Sequence, residues 1–121
     1  MSKHQRDVRL RRAYDPPSQD DGTRVLIDRL WPRGLRKDEA HVDDWPKEVT
    51  PSPELRRWFH GPDGDFGEFR ERYLAELSAP GPAAALDALR QRADSGRLTL
   101  LTAAKDPAHS HAAVLAELLR R

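Results

Sequence analysis

The sequence has no cysteine, which excludes disulfide staples, thiolate metal centres, iron–sulfur clusters and cysteine nucleophiles. It has no apolar run near the roughly 20 residues that span a bilayer. Its N-terminal stretch, MSKHQRDVRLRR, carries no apolar segment of the signal-peptide kind. A cytoplasmic protein without a membrane partner is therefore expected. Charge of one sign is also lacking: 21 Lys and Arg against 20 Asp and Glu give a formal net charge of +1. No whole-molecule field is left to hold a nucleic acid or an anionic membrane, so any anion site has to be local. The GxGxxG, P-loop, GxSxG, protein-kinase and EF-hand patterns are missing as well. No resident cofactor is implied.

What is present fits one small domain covering residues 1–121. Hydrophobic residues make up 37% of the chain and the mean hydropathy is −0.83, yet the Leu, Val, Ile and aromatic residues cluster rather than spread. A chain of this length buries about two-thirds of its extended surface on folding, enough for a core without metal or disulfide.

The clusters read as alternating strands and helices. VRLRRAY, Val8 to Tyr14, alternates apolar and basic residues as a strand with one wet face does. A turn-rich stretch from Asp15 to Gly22 ends it. Arg24 to Leu30 contains three successive apolar residues and reads as the central strand, covered on both faces. A short helical turn is expected over Leu35 to Ala40, followed by an irregular connector anchored by Trp45 and Val49. Ser52 before Pro53 and Glu54 marks a helix start, with a stop near Gly61-Pro62. Phe66, Phe69, Tyr73, Leu74 and Leu77 recur at spacings of three and four and predict a helix with one apolar stripe. Pro80-Gly81-Pro82 reads as a break, with a helix from Ala83 to Asp94. Leu98 to Ala104 is a second buried strand, and a last helix begins near Ala108.

Strands separated by long helical passages favour parallel pairing. The predicted class is α/β, a small, mostly parallel sheet of three to four strands flanked by helices in a Rossmann-like sandwich. Antiparallel pairing of the first two strands is the alternative.

In open α/β sheets ligands bind beyond the carboxyl ends of the strands. Parallel strands would bring Arg29, Arg33 and Lys105 to one such rim, a place suited to an anion. Charge is locally polarised there. Arg24, Arg29, Arg33, Arg36 and Lys37 face only Asp28, while the next stretch to Glu48 is acidic, so the two blocks either neutralise each other or leave a basic surface. On this strand Arg29 shares a face with Val25, Ile27 and Trp31. Its partner is then either a carboxylate of Asp15, Asp28 or Asp106, or a ligand. His109 and His111 are two apart, poorly spaced to share a metal on a helix, and no metal site is expected. An imidazole there has the titration range for acid–base work, with Asp106 beside it. The aromatic alternative, stacking of nucleic-acid bases on Trp31, Trp45, Trp58, Phe59 or Tyr73, competes with ordinary core packing.

The YDPP segment from Tyr14, the GTRVLIDRLWPRG segment from Gly22 to Gly34, the PSPELRRWFH segment from Pro51 to His60 and the stretch from Leu100 to Leu115 together resemble the domain of unknown function 488 family, in its YeaO-like branch. The resemblance implies a small bacterial-type α/β protein with no established activity. It also implies recurrent positions at Asp28, Arg29, Arg33, Arg56, Trp58, Lys105, Asp106 and His111. The family tends to have Asn-His-Ala where this chain has Ser110-His111-Ala112. The sequence thus leads to Asp28, Arg29, Arg33, Trp58 and Lys105 as ligand-binding residues and Asp106 and His111 as candidates for proton transfer. The expected partner is a small phosphate- or carboxylate-bearing ligand. A nucleic-acid- or protein-binding module built on the Arg24–Lys37 surface is the less favoured alternative.

Overall fold

The structure, a computed structural model, describes residues 6–121. The first five residues of the N-terminal stretch discussed above lie outside them. Three strands form one sheet: β1 (Val8–Arg12), β2 (Thr23–Leu26) and β3 (Leu98–Thr102). β3 lies in the middle, and β1 and β2 both run parallel to it. Leu10 and Val25 each pair with Leu100. All three strands therefore deliver their C-terminal ends to the same edge, and β1 and β2 do not pair with each other.

The expected central strand is an edge strand. Its unbroken apolar run is explained by what covers that edge. The segment after the first short helix runs alongside β2, with Leu26 N donating to Asp44 O at 2.9 Å and Asp43 N to Arg24 O at 2.8 Å. The true centre is LTLLT, in which every residue is buried. β1 and β2 also end earlier than their apolar residues suggest, at Arg12 and Leu26.

Among the described residues five helices follow the expected spacing: α1 (Lys37–Ala40), α2 (Pro53–Phe59), α3 (Phe66–Leu77), α4 (Pro80–Ser95) and α5 (His111–Arg120). Ser52 caps α2 by accepting from Leu55 N at 3.1 Å. The Glu76 carboxylate of α3 in turn accepts from Ser52 N and Oγ at 2.8 and 2.6 Å, clipping the two helices together. In α3, Phe69, Tyr73 and Leu77 are buried at intervals of four, as an inward stripe requires. Pro80-Gly81-Pro82 opens α4 rather than breaking the chain, because the first turn has no intrahelical partners for its N–H groups and tolerates proline. α5 begins at His111, after a 3-10 turn at Pro107–His109 and a Ser110 cap that accepts from Ala112 N.

The two faces of the sheet are covered unequally. Val8, Val25, Ile27, Leu98 and Leu100 join residues from α2 to α5 in the main core. On the opposite face Ala13, Leu26 and Leu101 lie under Trp31, Leu35, Val42 and Trp45 from the loop around α1. Trp31 is therefore not on the face of Val25 and Ile27. β2 stops at Leu26 and the chain bends over Asp28–Leu30, so strand alternation does not reach Arg29 or Trp31.

Candidate anion-binding site

A cavity of about 720 Å³ opens at the sheet edge where the strands end. The loop after β2 contributes Asp28, Arg29 and Arg33. The loop after β3 contributes Lys105 and Asp106, and the start of α5 contributes His111. These six sequence-derived candidates line one space because the strands before Asp28 and Lys105 are parallel neighbours. Trp58 does not line it; its ring packs under the Arg72 guanidinium, 4.2 Å from the ring centroid. The α2 residues that do reach the cavity are Arg56, Phe59 and His60, spaced three and four apart on one helical face. That spacing is the signal that separates Arg56 from Trp58.

Asp28 organises the floor. Its Oδ1 accepts from Thr102 Oγ1 at 2.8 Å and lies 3.0 Å from His111 Nε2, and its Oδ2 accepts from Ala103 N at 2.7 Å. Burial pushes this carboxyl up. Hydrogen bonds from His111 and Ala103, the adjacent imidazole charge and the Thr102 hydroxyl outweigh it and hold the group below its ordinary range. The carboxylate ties the end of β2 to the end of β3 and to α5.

His111 Nε2 also lies 2.9 Å from the Ile27 carbonyl. Both neighbours are acceptors, so Nε2 carries the proton and donates to them. Nδ1 is the ring atom left to exchange a proton. Asp106 Oδ2 lies 2.9 Å from His109 Nδ1, and both side chains are about two-thirds exposed. Among the described residues no cluster of His, Cys, Asp and Glu is arranged to hold a metal ion.

The cations of the rim are less well supplied. Arg29 donates from Nη2 to the Pro51 carbonyl at 3.2 Å, and its buried Nε has no partner among the described residues. The carboxylates proposed for it are engaged elsewhere: Asp15 lies 3.9 Å from Arg11, Asp28 faces His111 and Asp106 faces His109. Arg33, Arg56 and Lys105 likewise form no ion pair among the described residues. Two charges of the Arg24–Lys37 stretch are engaged within the chain. Arg24 is buried against Asp21 and donates to the Ala40 and His41 carbonyls, and Arg36 pairs with Asp38 and Glu39.

A three-stranded parallel α/β domain with a cation-lined cavity beyond its strand ends is the class that these features define. The description "Inactive DUF488-N3 subclade" matches residues 7–121. The chain belongs to this branch of the DUF488 family. It is 47% identical over 114 residues to "Uncharacterized protein YeaO" of Escherichia coli K12, covering 94% of this chain and 97% of that protein. It is 48% identical over 112 residues to "Uncharacterized protein Rv3073c" of Mycobacterium tuberculosis H37Rv, covering 93% and 92%. The same figures hold for "Uncharacterized protein Mb3100c" of Mycobacterium bovis. No solved structure matches the chain. No helix among the described residues is long and apolar enough to cross a membrane.

Proposed function

We propose that this protein binds a small anion at the strand ends and retains it without turnover. Arg29 carries the reading. Its guanidinium lines the cavity, makes one hydrogen bond, to the Pro51 carbonyl, and has no carboxylate partner among the described residues, so donors remain for a ligand oxygen. Phosphate or carboxylate oxygens match a guanidinium fork, and Arg33, Arg56 and Lys105 add charge around the same space. The word "Inactive" in the subclade's description agrees with binding in place of catalysis. The engagement of Arg24 and Arg36 within the chain favours a pocket ligand over a nucleic-acid surface.

The test is calorimetric titration with inorganic phosphate at low and moderate salt. Saturable one-site binding that weakens only modestly with salt is expected, since a single enclosed anion displaces few counterions compared with a polyphosphate backbone. Absence of binding to the wild-type protein would overturn the reading.

A further inference from the structure

We propose that the natural ligand is a phosphate monoester carrying an apolar body, with the phosphate at the cationic rim and the body against Leu30 and Phe59. The inference rests on the anion-site reading above and adds the ligand's chemical class.

Three observations support it. The first is size. A cavity of about 720 Å³ falls in the range of roughly 300–1,000 Å³ that holds whole organic molecules, far more than a bare phosphate fills. The second is the character of the walls. Leu30, Pro32, Pro51, Phe59 and Ala103 line the same space as the cations. Leu30 is 68% exposed and Phe59 only partly covered, although Phe59 stacks on Phe69 with ring centroids 4.4 Å apart. A large aliphatic side chain left mostly in water at the lip of an apolar cavity gains from covering by a ligand, at about 25 cal/mol for each Å² removed from water. The third is charge. Arg29, Arg33, Arg56 and Lys105 line the cavity with Asp28 and Asp106, so its Arg and Lys side chains exceed its carboxylates by two. That surplus matches the dianion of a phosphate monoester better than a single carboxylate.

The experiment compares inorganic phosphate, phenyl phosphate and benzoate by calorimetry on the full chain, using the wild type, Leu30→Ser and Arg29→Ala. Leu30 is exposed, so its replacement leaves the fold intact. Phenyl phosphate is expected to bind at least tenfold more tightly than inorganic phosphate and more tightly than benzoate. Leu30→Ser should remove most of that advantage without changing the affinity for inorganic phosphate, and Arg29→Ala should weaken both phosphates. Equal affinity for the two phosphates overturns the apolar-body assignment and leaves the anion site standing. Benzoate binding as tightly as phenyl phosphate overturns the monoester. An advantage that survives Leu30→Ser removes Leu30 from the ligand's path and overturns its assignment, and failure of every probe overturns both readings.

Discussion

His111 and Asp28 are 83 residues apart and meet with Nε2 3.0 Å from Oδ1, joining the first turn of α5 to the loop that carries Arg29 and Arg33. The contact is largely shielded, with the two side chains 17% and 16% exposed. Because the carboxylate also accepts hydrogen bonds from Thr102 Oγ1 and Ala103 N, it fixes the cavity floor as well as the imidazole.

Replacing one carboxylate oxygen with an amide NH2 turns a donor toward groups that themselves donate to Asp28. Asp28→Asn is expected to destabilise the fold by about 1–3 kcal/mol, the usual cost of leaving buried polar groups unmatched. Urea denaturation of the two proteins measures it. Phosphate affinity should fall too, as the loop bearing Arg29 loses its anchor.

The depressed carboxyl of Asp28 has a defined sign in pH. Its folded value lies below the unfolded one of about 3.9, so its contribution is fully present above that value and is lost as pH falls through the folded value. Stability of the wild type should therefore drop more steeply below about pH 4 than that of Asp28→Asn. Denaturation midpoints collected between neutrality and acid pH should converge for the two proteins.

Arg24 is a structural cation. It is 4% exposed, is paired with Asp21, and donates to the Ala40 and His41 carbonyls. Arg24→Met leaves Asp21 to Arg11, 3.2 Å away, and the Ala40 carbonyl without its donor, and should cost about 1–3 kcal/mol. The surviving folded fraction should bind phosphate with wild-type affinity, since Arg24 does not line the cavity. Unfolding curves and titration on the same sample separate the two effects.

Arg29 and Arg36 form the opposite pair of cases. Arg29→Ala should reduce phosphate affinity about tenfold or more, the loss of one charge-assisted contact, with little change in unfolding midpoint. Arg36, exposed and paired with Asp38 at 3.3 Å, should change neither quantity by a measurable amount when replaced by Ala. A large effect of Arg36→Ala on affinity would move the site to the outer basic surface.

Much of the fold is legible because its signals are local. The Ser52-Pro53-Glu54 start, the stripe of Phe69, Tyr73 and Leu77 at intervals of four, and the apolar LTLLT run each declare an element within a dozen residues. Strand order is not local. The run from Val25 to Ile27 is as apolar as a central strand because the chain around Asp44 covers its edge, and no pattern within β2 records that. The position of Trp31 was hidden for a related reason: alternation holds only while the strand continues, and this one ends at Leu26. Most of the candidate site followed from parallel strand ends alone, which place Asp28, Arg29, Arg33, Lys105, Asp106 and His111 around one cavity. Arg56 was distinguished from Trp58 only by the helical face that also carries Phe59 and His60. The burial of Arg24 depended on Asp21, whose own position is set by a 3-10 turn capped by Ser18.

The central claim is that cations from two separate loops bind one anion, and crystals grown in phosphate test it most directly. The account predicts density for one phosphate within hydrogen-bond distance of Arg29, Arg33 and Lys105 in the wild type and an empty site in Arg29→Ala. A cavity free of phosphate in the wild type, with each of these three side chains turned onto a carboxylate, would contradict it.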